Sequence, residues 1–513
     1  MRAILVAAAV LSTSFAAHAD FVGFGCIRHV VTGDLHRYHI MEVYAAFDDP
    51  TDRVLNIFDV SATLSNDSDP SAVPEFFQAE DPDSELPPSF MPLGYLPPGE
   101  AWRFDSYVTI GAVQGNMLNG TILDPSFSDH KFVQQHAITD NAGWFNLPPT
   151  NGYGLAGDGL KVLVGVFVVT DEHYAAGLRL NLEATLGFAD GNTLRFATAS
   201  RTLKFPSAET PAYSADRIDG DGNSDIVFHN PGSGRLALWL MQGLTRKSGT
   251  VLGETAPAGH ALQGMGDLDA DGVADLVWRD QSGRFDAWLM GGGSVALEAP
   301  MSTPIGSDWV NIAIGDVSGD ARADIVLRNT ATGDVRVWLM DGFIRVAEGT
   351  IGNAAGLACE ALADFNGDGT LDLLWRSESG VLRMWLLDGL EVVGHGEIAN
   401  APAVMAPHWT IAGAGDLDGD ARADIVWRNT TSGSVTSWQM DGMSRASGGT
   451  IHQGISLDWR IDAVRDLNGD GRSDIVWRRM ATGDVNGWLM NGRTRLGGGF
   501  IRNAQLPWSV VLP

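Results

Sequence analysis

A short aspartate-rich motif recurs six times between Asp216 and Asp474, and it constrains the fold more than any other feature of the chain. The clearest copy runs from Asp267 to Asp275, with aspartates at positions one, three, five and nine and glycine at position six. The closing aspartates recur about every 50 residues, a spacing typical of propellers, solenoids and other repeat arrays. The closing residues are Asp225, Asp275, Asp324, Asp372, Asp424 and Asp474. The sequence therefore predicts six copies of one structural unit.

The spacing of the carboxylates within each copy indicates a metal site. Carboxylates at alternate positions of a tight turn point into one small volume, where they repel one another unless a cation lies between them. Calcium suits this arrangement because it takes about six to eight oxygen ligands at flexible geometry, whereas magnesium requires a stricter octahedron. A main-chain carbonyl near position seven is the expected further ligand, and glycine at position six permits a positive φ. The alternative is a set of solvated acidic turns without metal.

The copies differ in how complete their ligand sets are. Copies two, four and six are complete, with Asp267, Asp269, Asp271 and Asp275; Asp364, Asn366, Asp368 and Asp372; and Asp466, Asn468, Asp470 and Asp474. Copies three and five have Ala321 and Ala421 in place of the glycine. Their candidate ligands are Asp316, Ser318, Asp320 and Asp324, and Asp416, Asp418, Asp420 and Asp424. Copy one retains Asp219, Asp221 and Asp225 but begins with Arg217, which is expected to pair with Asp219 or Asp225.

The residues that flank the motif distinguish it from a calcium loop between helices. An EF-hand requires a bidentate glutamate at position twelve. That position is here Phe228, Trp278, Leu327, Trp375, Trp427 or Trp477. Each loop is followed by a strand-like run, a turn and a second strand, as in Asp424–Arg428, Thr431–Gly433 and Val435–Met440. Each copy thus predicts four short strands with the metal loop between the first two, which is the plan of a propeller blade.

The loops and their strands resemble the FG-GAP or VCBS-type repeats of integrin-α-like calcium propellers, which are abundant in secreted bacterial proteins. The resemblance covers about residues 210–513. It implies a β-propeller whose loop aspartates bind calcium. The Phe-Gly and Gly-Ala-Pro signatures of the family are missing, since the second strand ends in Trp427-Arg428-Asn429 or its equivalent. Integrin-like ligand recognition is therefore not implied.

The tryptophans support the same architecture. Of the 16 in the chain, 14 lie between Trp239 and Trp508. One set follows each closing aspartate by 13 or 14 residues: Trp239, Trp288, Trp338, Trp385, Trp438 and Trp488. Their neighbours are apolar on both sides, as in Val337–Met340, which is typical of a strand buried on both faces. We expect these side chains to pack between blades; the alternative is a tryptophan-lined sugar pocket.

The two ends of the repeat region predict how the array closes. A tryptophan lies seven residues before the loops of copies three, five and six, at Trp309, Trp409 and Trp459. Trp508–Val511 restarts this strand at the C-terminus, whereas Thr210–Tyr213, before copy one, contains a proline. The C-terminal strand is therefore expected to complete the first blade of a six-bladed ring, which leaves no sheet edge exposed there. Seven blades are the alternative.

The N-terminal region predicts export and a second domain. Residues 1–19 combine Arg2, an apolar core over Ala3–Val10 and an Ala-His-Ala cleavage site, which is typical of a secretory signal and of an extracellular or periplasmic protein. Residues 20–205 contain strand signals and form the first domain, and residues 206–513 form the propeller. The expected strands are Tyr38–Phe47, Val54–Leu64, Tyr107–Ile110, Lys161–Val169 and a hairpin of Leu178–Phe188 with Thr193–Phe205. Asp67–Pro98 is expected to be a long surface loop, and the domain a jelly-roll-like β-sandwich.

Composition narrows the classes of partner. A net charge of −29 argues against nucleic acid and anionic lipid surfaces. No segment after the signal approaches the length of a membrane span. The chain has only two cysteines, which rules out a disulfide framework. Cys26 and Cys359 lie in different predicted domains, so a bridge between them is not expected. A monomer is expected.

No catalytic constellation is evident in the sequence. Gly-x-Ser-x-Gly and His-Glu-x-x-His motifs are absent, and the glycines of Gly152–Gly157 lack the strand and helix of a dinucleotide site. The favoured interpretation is a secreted calcium-binding propeller that acts as a binding or adhesion scaffold for an extracellular protein or glycan. One alternative is a polysaccharide-active lyase or hydrolase, which needs acids, histidine or lysine converging in the central channel. The other is a lectin, which needs exposed aromatic side chains between blades.

Overall fold

The computed structural model describes residues 21–32, 37–66, 107–108, 110, 121–123, 137–146, 154–157, 160–170, 178–190, 193–204, 216–255, 259–291, 293–402, 407–504 and 508–511. The predicted signal segment and the predicted loop over Asp67–Pro98 lie outside these ranges. The described residues form an all-β protein without an α-helix. Among them, no helix has the length and apolar character needed to cross a membrane.

The described residues of the N-terminal part of the chain form nine strands. They are β1 (Phe21–Thr32), β2 (Arg37–Phe47), β3 (Arg53–Asn66), β4 (Tyr107–Val108), β5 (Thr121–Leu123), β6 (Ala137–Asn146), β7 (Lys161–Thr170), β8 (Leu178–Asp190) and β9 (Thr193–Lys204). They build a four-stranded sheet of order β1-β2-β7-β4 and a five-stranded sheet of order β5-β6-β3-β8-β9. The strands predicted from sequence are confirmed with small shifts of their ends. β1, β5 and β6 were not predicted; β6 contains aspartate, asparagine and glycine, which are depleted in strands.

The two N-terminal sheets share one hydrophobic core. Side chains alternate along β8, so that Leu180, Leu182 and Leu186 are buried while their neighbours face outward. They belong to the same apolar cluster as Met41 and Val43 of the other sheet. The period-two pattern of β8 thus places its leucines in the core between the sheets.

Twenty-four strands form the C-terminal part, in six four-stranded antiparallel sheets numbered here along the chain. Sheet one contains β10 (Ile226–Asn230), β11 (Arg235–Gln242), β12 (Thr245–Thr255) and β33 (Ser509–Val510). Sheet two contains β13 (Ala261–Gly266), β14 (Asp275–Arg279), β15 (Phe285–Gly291) and β16 (Ser294–Pro300). Sheet three contains β17 (Trp309–Gly315), β18 (Asp324–Asn329), β19 (Asp334–Asp341) and β20 (Ile344–Asn353).

The remaining three sheets repeat the same plan. Sheet four contains β21 (Leu357–Ala363), β22 (Asp372–Ser377), β23 (Leu382–Asp388) and β24 (Glu391–Glu397). Sheet five contains β25 (Trp409–Gly415), β26 (Asp424–Asn429), β27 (Val435–Asp441) and β28 (Ser444–His452). Sheet six contains β29 (Trp459–Arg465), β30 (Asp474–Arg479), β31 (Asp484–Asn491) and β32 (Thr494–Asn503). In sheets two to six the strands pair in chain order.

Sheet one is completed by the C-terminus of the chain. Its order is β12-β11-β10-β33, with Phe228 opposite Val510 and His229 opposite Ser509. The last strand, β33, therefore occupies the position in sheet one that the first strand occupies in the other five sheets. This confirms the prediction that the C-terminal strand completes the first blade.

The middle strands of the sheets are buried on both faces, as their continuous hydrophobicity predicts. Trp278 and Trp338 are almost wholly inaccessible to solvent. Tryptophans of the second and third strands pack together within a sheet, with ring centroids 4.9 Å apart for Trp278 and Trp288. Of the six third-strand tryptophans, all but the partly buried Trp385 fall in the hydrophobic core. The core-packing prediction is confirmed for those five.

An arginine that ends the second strand fastens each of several sheets to the next. The Arg328 guanidinium donates to the main-chain oxygens of Leu357 and Ala354, at 2.6 and 2.9 Å. Arg279 donates in the same way to the Trp309 oxygen at 2.6 Å. The planar guanidinium suits this role because it presents several donors in a fixed geometry. The arginine thus anchors its sheet at the next one, while the residue before it, Trp278 or Leu327, is buried.

The N-terminal sheets contact sheets two and three. Ile27 and Ala46 belong to the same buried cluster as Phe343 and Ile344. The Lys161 ammonium donates to the Arg345 main-chain oxygen at 2.8 Å. This interface brings β9 beside the loop of copy two.

Candidate metal-binding loops

In copies two to six the aspartate-rich motif forms a tight loop between the first and second strands of its sheet, and in copy one the loop precedes β10. The chain turns through positive φ at position six, with φ of 87° at Gly272, 67° at Ala321 and 66° at Ala421. Position four turns likewise, with φ of 57° at Ala270. The prediction that position six requires positive φ is confirmed. In copies three and five, an alanine adopts a backbone conformation that glycine adopts at lower cost.

The first aspartate organises the loop around its carboxylate. In copy two, Asp267 accepts hydrogen bonds from the Asp271 and Gly272 amides, at 3.1 and 2.9 Å. The bond from the position-six amide recurs in every copy that begins with aspartate, at 2.7 to 2.9 Å. Burial and the nearby charges of Asp269 and Asp271 raise the pKa of Asp267 to about 8. A bound cation would favour the ionised form of these crowded carboxylates.

The ninth aspartate is a structural clamp. One oxygen of Asp275 accepts the Leu268 amide at 2.9 Å, and the other accepts the Met290 amide of the third strand at 2.8 Å. All six copies repeat both bonds. A carboxylate has about four lone-pair sites, so two remain available for a cation. Sequence reasoning assigned this residue to metal alone and missed the contact with the third strand.

Three carboxylates converge in two of the loops. One ligand oxygen from each of Asp267, Asp269 and Asp275 lies within 4.8 Å of the others, and so do those of Asp416, Asp418 and Asp420. Hard, charged oxygens at this separation suit a divalent cation such as calcium. In copies four and six, the side-chain amide at position three donates to the carboxylate at position five, at 2.7 Å for Asn366 and 3.1 Å for Asn468. The structure thus brings three of the four predicted ligands together in copies two and five, without Asp271 and Asp424 respectively.

Copy one contains a cation of the protein itself. The Lys247 ammonium, from β12, lies 3.1 Å from Asp219 and makes a short hydrogen bond to Asp221. Burial opposes ionisation of Asp221, but hydrogen bonds from Lys247 and Asn223 lower its pKa to about 2. The Arg217 side chain instead lines a cavity that lies where the first strands of the sheets converge. The expectation that Arg217 pairs with Asp219 or Asp225 is wrong, because a lysine from the fourth strand reaches the loop instead.

Arginines approach four of the other loops. In copies three, five and six, the arginine at position seven pairs with the aspartate at position five, at 2.9 Å for Arg322, 3.5 Å for Arg422 and 3.9 Å for Arg472. In copy two, Arg201 of β9 lies 3.7 Å from Asp269. The first three contacts lie within a single loop, between positions five and seven of the motif. The Arg201 contact joins the N-terminal part to the loop of copy two, so the motif does not indicate it.

The six loops are joined in a closed circuit of main-chain hydrogen bonds. The amide at position eight of each loop donates to the position-one oxygen of the preceding loop, as Ala274 does to Arg217 at 2.8 Å. The circuit returns to its start because Ser224 of copy one donates to Asp466 of copy six at 2.8 Å. The equivalent donors are Ala323, Leu371, Ala423 and Ser473. The geometry of each loop is thereby tied to that of its neighbour.

A cavity of about 540 Å³ lies where the first strands converge. Two of its six acidic residues are paired with arginine: Asp216 lies 3.2 Å from Arg465, and Asp462 lies 2.6 Å from Arg478. Glu360 also lines the cavity, and burial raises the pKa of this carboxyl. Among the described residues that line it there is no histidine or lysine. Cys359 also lines it, and burial raises the pKa of this thiol to about 12. No disulfide joins Cys359 to Cys26.

The repeat region matches a known family. The profile of the FG-GAP-like repeat matches residues 217–278, 267–327 and 364–427, each of which spans at least one of the acidic loops. The chain is an FG-GAP repeat protein. No curated protein matches it.

Several solved structures resemble part of this FG-GAP protein at low similarity. Raptor of Chaetomium thermophilum aligns at 12% identity and a TM-score of 0.33, over 57% of this chain and 25% of Raptor. The dihydro-heme d1 dehydrogenase NirN, solved in complex with DHE, aligns at 13% identity and a TM-score of 0.31, over 57% of each chain. The β-propeller domain of Cps50 (Swd1) from Myceliophteria thermophila aligns at 12% identity and a TM-score of 0.27, over 58% of this chain and 88% of that domain. The FG-GAP protein thus spans less than two thirds of the first two chains.

The alanines at position six predict a simple gain in stability. Ala421 is exposed and has a φ of 66°, so Ala421→Gly should relieve backbone strain without loss of buried surface. We expect a gain of about 0.5–1 kcal/mol in the free energy of unfolding, after the entropy cost of glycine. Urea denaturation measures it. The control is Ala423→Gly. Ala423 is a buried residue of the same loop and does not have a positive φ, so its replacement by glycine should destabilise the protein.

Proposed function

We propose that this FG-GAP protein is a secreted, calcium-binding propeller that serves as a rigid scaffold for binding an extracellular protein or glycan. The convergence of three carboxylates in the loops of copies two and five is the observation that carries the proposal. The match to FG-GAP-like repeats supports the same interpretation. The signal-like sequence at residues 1–19 supports export to the periplasm or the extracellular space.

Calcium is the favoured cation because every side-chain donor in the loops is an oxygen. The side chains at positions one, three, five and nine hold the ion in copies two to six. Calcium supplies positive charge to groups that otherwise repel, and so stabilises the turns that join the first and second strands. Affinities of about 10⁻⁴–10⁻³ M are expected, as in other extracellular modules.

The proposed architecture is a six-bladed propeller preceded by a jelly-roll-like β-sandwich. The circuit of hydrogen bonds from copy six back to copy one supports six blades rather than seven. The position of β33 in sheet one supports closure by the C-terminal strand. The shared core of the two N-terminal sheets supports the sandwich.

The same geometry weighs against the two alternative functions. An enzyme of the polysaccharide lyase or hydrolase class needs acids or bases available in the channel, whereas Asp216 and Asp462 are held there by arginines. A lectin needs exposed aromatic rings between blades, whereas Trp288 and Trp338 are buried and Arg345 stacks on Trp338 at 4.9 Å. A scaffold role requires neither feature.

A glycan array and a panel of extracellular matrix proteins, each probed with and without calcium, test the proposed function. We expect saturable binding to at least one ligand that weakens when the chelator disorders the loops. The same polysaccharides are incubated with the protein and assayed for new reducing ends or unsaturated products. Cleavage of a polysaccharide would overturn the scaffold assignment in favour of the enzyme, and absence of any binding would overturn it outright.

A further inference from the structure

Copy one differs from the other five copies in two linked ways. It alone lacks an aspartate at position one, where Arg217 stands. It also places the Lys247 ammonium between its two exposed carboxylates, 3.1 Å from Asp219 and in a short contact with Asp221. The third carboxylate, Asp225, already accepts the amides of Ile218 and Met241. The side-chain charges that face outward in this loop are therefore matched from within the chain.

Lys247 occupies a defined place in the repeat. Leu240 pairs with Ser248 and Met241 pairs with Arg246, so Lys247 is the extra residue of a β-bulge between the third and fourth strands. The same bulge recurs in the other five sheets, where its residue is Ala296, Val346, Val393, Ala446 or Leu496. All five are apolar. The chain thus has a basic residue at this position only in the copy whose ligand set is incomplete.

The bulge position lies beside the loop in at least one other sheet. Ala296 lines a cavity of about 410 Å³ together with Asp269 and Asp271 of copy two. A long side chain at this position can therefore reach the carboxylates at positions three and five, as Lys247 does. Ala296 is too short to reach them, and Arg201 of β9 lies 3.7 Å from Asp269 in the same cavity.

We propose that the Lys247 ammonium replaces the metal ion of copy one, and that the residue at this bulge decides whether a loop takes calcium. The inference rests on the proposed function, since it requires that intact loops bind calcium. An ammonium group carries three donors and a compact charge, so it neutralises two carboxylates by hydrogen bonding. The Lys247 ammonium donates to both the Asp219 and the Asp221 carboxylates. Copy one is then a loop with a permanent internal cation.

A reciprocal exchange between copies one and six tests this assignment. Leu496→Lys introduces the lysine beside a complete loop at a residue that is 59% exposed, and Leu496→Met is its uncharged control. Arg217→Asp combined with Lys247→Leu gives copy one the ligand set and the apolar bulge residue of the others. Calcium per chain is counted by metal mass spectrometry after dialysis, and circular dichroism checks folding.

The expected results are a loss of one calcium in Leu496→Lys, no change in Leu496→Met and a gain of one in the double variant. Leu496→Lys should also narrow the difference in Tm between calcium and chelator, because the lysine stabilises the calcium-free loop. An unchanged count and an unchanged Tm difference in Leu496→Lys would overturn the inference, even if the double variant does not fold. Wild-type protein without any bound calcium would instead overturn the proposed function, so the two failures are distinguishable.

Discussion

Excess chelator should lower the melting temperature of the protein by about 10–20 °C. Each occupied site contributes RT ln(1 + [L]/Kd), which is about 1 kcal/mol when free calcium exceeds Kd several-fold. Five loops together then contribute about 5 kcal/mol, and a domain of this size shifts by about 2–4 °C per kcal/mol. Differential scanning calorimetry in calcium, in chelator and after calcium is restored measures the effect. Equal curves, with no metal found by mass spectrometry, would contradict it.

Two matched substitutions assign this effect to particular loops. Asp271→Ala removes a central ligand from the complete copy two, where the remaining carboxylates converge within 4.8 Å. Asp221→Ala removes the equivalent residue from copy one, where Lys247 pairs with the loop. We expect the first variant to bind one calcium fewer and the second to bind the wild-type number. Equal losses from both would mean that copy one holds calcium.

Asp225→Ala should destabilise the protein by about 3–5 kcal/mol, and calcium should not change this cost. The substitution leaves the buried amides of Ile218 and Met241 without acceptors, which lie at 2.8 Å from the two oxygens of Asp225. An unsatisfied buried donor costs about 1–3 kcal/mol, and the lost side chain adds to this. Copy one suits the measurement because we assign its cation to Lys247 and not to calcium. The substitution therefore does not also remove a calcium ligand. Urea denaturation gives the change in free energy of unfolding.

The control for Asp225→Ala is the substitution of another aspartate in the same loop that makes different contacts. Asp219→Ala removes a more exposed carboxylate of the same loop, which pairs with Lys247 on the surface. Exposed ion pairs contribute about 0–1 kcal/mol, so this variant should remain close to wild type. If Asp219→Ala and Asp225→Ala destabilise equally, the clamp assigned to position nine is incorrect.

The repeat region could be predicted from sequence because its signals are local and periodic. The glycine at position six indicates a turn of positive φ, and the tryptophans that follow each closing aspartate indicate a buried strand. Trp508–Val511 could be placed in sheet one because it repeats the first-strand pattern without a loop behind it. Each of these features can be recognised by comparing one copy of the repeat with the next.

The contacts that were missed join residues far apart in the chain. Lys247 reaches Asp221 across 26 residues, and Arg201 reaches Asp269 from the other domain. A comparison of the residues at the fourth-strand bulge would have singled out Lys247, since its five counterparts are apolar. Nothing in the repeat pattern indicates Arg201, because the docking of the N-terminal sheets decides its position. The clamp at position nine was missed because a repeated spacing of carboxylates indicates a metal site more directly than it indicates a main-chain contact.

The two-residue strand β33 also determines the order in which the molecule can be assembled. Its Ser509 hydroxyl donates to the His229 oxygen at 3.2 Å, across 280 residues. A chain that emerges from its N-terminus can form sheets two to six as each copy appears, because their strands pair in chain order. Sheet one must wait with an open edge on β10 until the final residues arrive. β33, which follows the other five sheets in the chain, therefore closes the array, and until it docks, the first sheet offers an edge to any other strand nearby.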